Sequence, residues 1–535
     1  MTDYKTFLGS PCGPAWKKLG LARRAGVLAP LFSIQSQESS GVGEFPDLEP
    51  LADWCRDSGM SLIQLLPLND VGTRFCPYDS ESSFALEPLH LAPGKLVGIP
   101  EKKYASEIAI LRKRYPSGTP FFDTRVKADK LSLFQRIFKE RAKKNPKEFE
   151  AFKADQESWL SSYALFKVAK RRMDQKSWEV WPEPLRTRRT AALRELAESS
   201  EEELEFHRWL QWQLFEQFRA AAERVRKKKV HLIGDLPFLV ARDSADVWAN
   251  PHYFKLSLAS GAPPDLYLAD GQEWGMPPYD WETMASAHYE YIKEKLKYAS
   301  NFYDLFRIDH FVGLFRVWVF PLDNAPDRKK RAFFDPPDEG RWEGQARAIL
   351  GAMLESSLML PCAEDLGTVP DAARKVLAEY AIPGMDVQRW MREWETTQEF
   401  TPPEKYRPHA LTTLSTHDMS SFLGWWIQEA TPEDKEHFLK FTGLSAAQGA
   451  APGEVLHAAL QKAHASRAIF SVHSLQDWLS FTGALGKTDS LLRINRPGVV
   501  DEHNWRLRLP FTLEKMRKTF SSDPILKLNR LAGRE

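Results

Sequence analysis

Four acidic side chains in this sequence each stand at or near the end of a short apolar run. They are Asp235 in 230–238, Asp309 in 305–311, Glu364 in 358–365 and Asp418 in 411–418. Arg307 stands two residues before Asp309, and on a strand that spacing points both side chains to one face. On a pocket face the guanidinium would keep the carboxylate ionised and oriented. Such a carboxylate can attack a sugar carbon, hold a metal or form a salt bridge, and the pair alone does not choose among these. Four carboxylates converging on one rim admit two main chemistries: divalent-cation binding or glycoside chemistry with a paired nucleophile and acid. Their neighbours are Arg307, His417, Tyr78 and Trp274 rather than closely spaced His and Asp ligands. That company suits sugar recognition better, and no metal or cofactor is expected. Singly, Asp235 reads equally as a cap or salt-bridge partner and His417 as a satisfied core histidine; their weight lies in falling together.

For these groups to meet, the runs that carry them must be parallel strands ending on one side. Apolar runs at 26–34, 61–68, 230–238, 305–311, 358–365, 382–387, 411–418 and 468–473 predict eight strands. Helical patterns at 45–58, 202–226 and 368–380 fall between them. About eight βα pairs with carboxylates at the strand ends predict an α/β chain folded as a (β/α)8 TIM barrel, whose active site lies at the C-terminal ends of the strands. Residues 1–25 are read as an N-terminal extension and 26–92 as the first part of the barrel. Residues 93–194 form a mostly helical insertion, with helices predicted over 127–144 and 159–173. Residues 195–535 complete the barrel with long substrate-covering loops. The stretch from the third strand to about residue 285 is rich in Pro, Gly, Tyr and Trp and reads as a long, functional loop.

Composition narrows the function classes. The chain has 535 residues, 43% hydrophobic and 27% charged, with a formal net charge of +1. That near-neutral balance gives no field for nucleic acid or a membrane surface, and the basic runs 171–172 and 227–229 read as solvated faces. The 18 tryptophans fit core packing and sugar stacking alike. Cys12, Cys55, Cys76 and Cys362 form no C-x-x-C pair, which fits a reducing compartment. The first 18 residues lack an apolar leader core, and no run is long and apolar enough to span a bilayer. A cytoplasmic location is therefore expected.

Several short motifs then carry a resemblance. Gly234-Asp235-Leu236-Pro237, Gly271-Gln272-Glu273-Trp274-Gly275, Arg307-Ile308-Asp309-His310-Phe311, Ala363-Glu364-Asp365-Leu366-Gly367, Pro383-Gly384-Met385 and Thr416-His417-Asp418 resemble the 4-α-glucanotransferases. This is glycoside hydrolase family 77, the amylomaltases and disproportionating enzymes. Leu65–Asp70, Pro77-Tyr78, Asp243–Trp248, Pro263-Pro264-Asp265, Arg493-Ile494-Asn495 and Asn504-Trp505-Arg506 add to it. The resemblance runs from about residue 26 to residue 508 and is weakest near 93–152. It implies a (β/α)8 barrel, transfer of α-1,4-glucan segments between malto-oligosaccharides or glucans, and no cofactor. By motif it implies Asp309 as nucleophile, Glu364 as general acid/base and Asp418 as the third carboxylate. Arg307 would orient Asp309. Tyr78, Asp235 and His417 would line the subsite of the reacting glucose, and Trp274 would belong to a lid, with Tyr267, Tyr279 and Trp281 as further aromatic material.

The sequence departs from the family pattern at Val312, where Arg is usual, at Met419 for Asn and at Cys76 for Ser. Residues 338–344 lack the usual Gly-Pro-Gly ending. With all three carboxylates present, transfer is the leading expectation. Hydrolysis of α-glucans and non-catalytic glucan binding are the alternatives, and the preferred donor and acceptor stay open.

Overall fold

The computed structural model describes residues 3–141, 144–264, 271–323, 325, 327–445 and 450–535. Eight parallel strands close into a barrel. They are β1 (Arg24–Leu28), β2 (Leu62–Gln64), β3 (His231–Leu236), β4 (Leu305–Ile308), β5 (Leu360–Ala363), β6 (Gly384–Val387), β7 (Ala410–Thr413) and β8 (Phe470–Ser474). Each strand pairs with its neighbours in sequence, and β8 returns to β1. The predicted fold class is the observed one. Strands β2, β4, β5, β6 and β7 are fully buried along their length. Burial there takes in polar residues as well: Gln64, Arg307, Asp386, Thr412 and Thr413 on these strands are all buried.

The strands are shorter than the apolar runs that announce them. The run 61–68 contributes three residues to β2, because Pro67 has no N–H to continue the ladder. The runs ending in Asp309, Glu364 and Asp418 stop pairing before the acidic residue is reached. Each carboxylate thus stands just beyond a strand, free to turn toward the barrel axis.

The longest helix, Glu201–Lys227, has Glu201, Glu202 and Glu203 in its first turn and Arg224, Arg226 and Lys227 in its last. Both ends therefore complement the helix dipole. Its buried face carries Phe218, stacked between Phe45 at 4.5 Å and Phe302 at 4.4 Å. Gln211, Gln217 and Gln213 on the same helix each bond both backbone groups of one residue: Leu86, Ala92 and Val97. These bonds satisfy backbone groups of an irregular segment that contains short 3-10 turns at Pro88–His90 and Pro93–Lys95. Helices Ala105–Arg114, Arg125–Glu140, Lys147–Asp155 and Glu157–Arg172 lie between β2 and β3.

The opposite end of the barrel is closed by both ends of the chain. Trp16, fully buried on the helix Gly13–Leu19, donates to the Ala381 carbonyl at 3.0 Å and stacks on Phe470. Arg534, also fully buried, donates to the carbonyls of His464, Ser466, Ala468 and Ile469.

The stretch read as a long loop is not structureless. Leu258–Ala262 and Gln272–Glu273 pair antiparallel, and Val317–Pro321 and Phe333–Asp335 complete a four-stranded sheet. Short helices at Ala245–Ala249 and Trp281–Ser286 flank it. The sheet joins the excursion between β3 and β4 to that between β4 and β5. Gly261 is required there, since a Cβ would meet the Gln272 carbonyl oxygen at 1.9 Å. Asp265 and Tyr267 lie outside the described residues. Among the described residues, no helix is long and apolar enough to cross a membrane.

Candidate active site

Register brings the first groups together. In the β3–β4 pair Asp235 lies opposite Arg307, and in the β4–β5 pair Ile308 lies opposite Ala363. The next residues, Asp309 and Glu364, therefore leave adjacent strands side by side. His310 follows in a left-handed conformation with φ of +46°. That turn, unusual for a residue with a side chain, aims its N–H at Glu364 Oε2, 2.9 Å away. Leu366 N–H donates to Oε1 at 2.9 Å, so both carboxyl oxygens of Glu364 are held.

Arg307 is the hub. Its Nη1 donates to Asp235 Oδ1 at 2.8 Å, to Asp235 Oδ2 at 2.9 Å and to Asp309 Oδ1 at 2.8 Å. Its Nη2 stands 3.8 Å from Glu364 Oε2. Burial pushes the Glu364 carboxyl up to about 8; Arg307 opposes the rise and the charge of Asp309 adds to it. Glu364 is thus a carboxylic acid at neutral pH, beside a carboxylate bonded to an arginine. Such pairs of acids in contrasting environments divide acid from nucleophile.

The opposite wall comes from the loops after β2 and β7. Tyr78 donates to Asp235 Oδ2 at 2.7 Å and lies 2.9 Å from His417 Nε2, with the two rings stacked. Burial and the neighbouring Asp235 hold the phenol well above its ordinary range, so Tyr78 keeps its proton. His417 Nε2 is 3.1 Å from Asp418 Oδ2. Asp418 also accepts from the Asn495 side-chain amide at 2.7 Å, and its carbonyl accepts from Arg493 at 2.9 Å. Burial would raise the Asp418 carboxyl, but His417 and Asn495 outweigh it and bring the group down to about 2. Asp418 is a permanent carboxylate above mildly acidic pH.

The loop bearing Tyr78 is anchored by buried lysines from the helices that follow it. Lys167 Nζ lies 2.9 Å from Asp70 and 2.6 Å from Glu81, and Tyr163 donates to Asp70 at 2.7 Å. Lys127 bonds Glu87 and the Gly72 carbonyl, and Lys170 bonds Asp243.

These groups open onto a groove of about 1730 Å³. Of the predicted site residues, Asp309, Glu364, Asp418, Tyr78, Trp274, Arg307 and His417 line it. Asp235 is 1% exposed and lies behind Arg307 and Tyr78 rather than on the wall. Trp274 packs edge-on against His310 at 4.9 Å, next to the residue that holds Glu364. Tyr279 and Trp281 are buried around Phe238 and do not line the groove, correcting their assignment as wall material. The aromatic walls are Trp318, Phe334, Trp390, Trp394 and Trp425. Nothing in the spacing of these residues marks which tryptophans face a groove. Asn495 was legible only as part of a motif, with no role attached. The three departures, Cys76, Val312 and Met419, all line the groove. Among the described residues no group of three or more His, Cys, Asp or Glu side chains is placed to hold a metal ion; the charge inside the cluster is balanced by Arg307.

Residues 29–514 match the family described as 4-alpha-glucanotransferase. A 4-alpha-glucanotransferase of Chlamydia trachomatis is 36% identical over 509 residues, spanning 94% of each chain. The amylomaltase from Streptococcus agalactiae in complex with acarbose superposes with a TM-score of 0.77 at 21% identity, covering 96% of this chain and 99% of that one. The amylomaltase from Corynebacterium glutamicum gives 0.78 at 23% identity, covering 96% and 76%. These two show the shared fold.

Proposed function

The chain belongs to the 4-alpha-glucanotransferase family, and from that premise we propose that it moves α-1,4-glucan segments between chains by two displacements at one sugar carbon. In the first, Asp309 attacks the anomeric carbon while Glu364 gives its proton to the glycosidic oxygen. The leaving chain departs with a free 4-hydroxyl, and a covalent glycosyl-enzyme remains on Asp309. In the second, the 4-hydroxyl of an acceptor sugar attacks the same carbon. Its proton passes to the Glu364 carboxylate, and Asp309 is released. Retaining chemistry of this kind asks for two carboxyl groups about 5–5.5 Å apart. The carrying observation is geometric: one guanidinium, Arg307, bonds Asp309 and stands 3.8 Å from Glu364, whose carboxyl is held at both oxygens by the His310 and Leu366 N–H groups.

The remaining roles follow from position. Asp418, His417 and Tyr78 form a charged and aromatic wall for the reacting glucose, with Asp418 accepting from sugar hydroxyls. Asp235 fixes Arg307 and Tyr78 from behind. Trp274 covers the site on the side of His310. The aromatic walls favour a sugar acceptor over water by excluding bulk solvent. The four cysteines are all free thiols, and we place the enzyme in the cytoplasm, where they stay reduced.

Incubation with pure maltotriose tests the activity. Shorter and longer chains at constant total reducing ends establish transfer; rising reducing ends without longer chains would make the protein a hydrolase.

A further inference from the structure

We infer that Arg316 is an acceptor-binding residue, which holds the incoming glucan by paired sugar hydroxyls and so favours sugar over water at the glycosyl-enzyme. The inference rests on the reading of Glu364 as the acid/base. Arg316 lies between the turn Phe311–Leu314 and the strand Val317–Pro321, and it lines the groove with Trp318 and Phe334. Its guanidinium carbon sits 3.9 Å from the ring centre of Phe334 and 4.7 Å from that of Trp342. The two rings meet edge to face, 6.2 Å apart, and form a corner that holds the guanidinium by cation–π contact while its N–H groups keep a polar approach from the groove.

Those edges are barely used. Among the described residues the one side-chain hydrogen bond of Arg316 runs from Nη2 to the Thr368 carbonyl at 3.3 Å. Of the other groove arginines, Arg74, Arg307, Arg392 and Arg493 are ion-paired, to Asp79, Asp235 and Asp309, Asp434 and Glu429 respectively, and Arg389 donates to the Leu414 and Ser420 carbonyls and the Ser420 hydroxyl. Arg316 has no ion pair among the described residues. A cation in a carbohydrate groove with no carboxylate at ion-pair distance among the described residues, and with most of its N–H groups unbonded there, is suited to a neutral polyol. The fixed fork matches two neighbouring oxygens, and the vicinal 2- and 3-hydroxyls of a glucose unit supply such a pair.

The side of the groove follows from Thr368. It stands four residues after Glu364, at most about 14 Å along the chain, and Leu366, Gly367 and Thr368 all line the groove. A general acid must touch the glycosidic oxygen, so the loop continuing from Glu364 borders the leaving chain and the acceptor that replaces it. The glucose on Asp309 faces the other wall, made by Tyr78, His417 and Asp418. Val312, where the resemblance places an arginine, is on the same turn as Phe311. The guanidinium in this part of the groove is therefore supplied from position 316.

The test uses α-maltosyl fluoride, whose leaving group reaches no sugar site beyond Glu364. Fluoride release then reports formation of the glycosyl-enzyme, and its fate is divided between added maltose and water. Arg316→Met keeps an unbranched apolar side chain beside the aromatic rings and removes the fork that lies against them. Its KM for maltose as acceptor should rise about tenfold more than fluoride release falls, the size of one charged hydrogen bond. The transfer-to-hydrolysis ratio should drop with it. Arg316→Lys keeps the charge without the fork and should show most of the same split; it also serves if the Met variant does not fold. An unchanged acceptor KM, or a fall of both quantities in parallel, would overturn the assignment. The premise fails separately: parental fluoride release by Asp309→Asn would remove the catalytic reading itself, whatever Arg316 does.

Discussion

Arg307 Nη1 lies 2.8 Å from Asp309 Oδ1, and it makes that contact while already bonded to both oxygens of Asp235. Asp235 is buried and on an adjacent strand, so the guanidinium is fixed from below and presented to Asp309 from above. Removing it should cost transition-state stabilisation at the nucleophile and leave Asp235 buried and without its cation. Arg307→Gln is expected to lower kcat about a hundredfold or more. Arg307→Lys should not restore it, because the lysine nitrogen ends one bond short of the point from which Nη1 bonds Asp235 and Asp309 together, and no second nitrogen remains beside Glu364. A kcat within threefold of the parent for either variant would show that Asp309 needs no such orientation.

The pH dependence follows from Glu364. Its carboxyl is raised to about 8 by burial, with Asp309 adding to the rise against Arg307. In the proposed mechanism the protonated form donates to the leaving oxygen, so kcat/KM for maltotriose should fall as pH rises through about 8. With a fluoride donor, which departs without a proton, the alkaline fall in fluoride release should largely vanish. An alkaline limb of the same position with both donors would assign it to another group.

The same shift bears on stability, with a definite sign. In the folded chain Glu364 holds its proton up to about 8, against an ordinary value of 4.5. The ionised form is disfavoured in the fold, so stability is lost as pH rises across that window and no cost exists below it. Glu364→Gln removes the ionisation. It should therefore raise Tm more at about pH 9 than at about pH 5. An equal change at both would contradict the buried, protonated carboxyl.

Lys167 tests the anchor beneath Tyr78. Asp70 and Glu81 both bond it, and Lys167→Met leaves two buried carboxylates short of their cation. A stability loss of about 3–5 kcal/mol is expected, read from denaturant unfolding. A loss below about 1 kcal/mol would mean that Lys127 and Lys170 balance the loop without it.

How much of this was legible in the sequence depended on which physical signal each residue carries. The barrel was legible because short runs rich in apolar residues recur between helical patterns, and those before Asp309, Glu364 and Asp418 each lead to a carboxylate. Their true ends were not, since pairing stops where the chain turns inward and no residue type marks that turn. His310 is the sharpest example: its left-handed backbone carries the N–H that holds Glu364, yet Asn or Gly would be the usual sign of such a turn. The antiparallel sheet on the rim was missed because Leu258–Ala262 is made mostly of small residues, its partner Gln272–Glu273 is only two residues long, and its other partner, Val317–Pro321, comes from beyond β4. Tyr279 and Trp281 were misplaced because composition gives an aromatic no direction. Asn495 bonds Asp418 across 77 positions of sequence, a contact that only the closed barrel creates.

The most direct measurement of the central claim is the site of the covalent intermediate. Glu364→Gln should be labelled by α-maltosyl fluoride, since glycosylation needs no acid with that donor while the missing base slows turnover. Mass spectrometry of the digested protein should then find the added maltosyl group on the peptide containing Asp309, and Asp309→Asn should abolish it. A label on Asp418, or on any peptide other than that of Asp309, would contradict the assignment of the nucleophile.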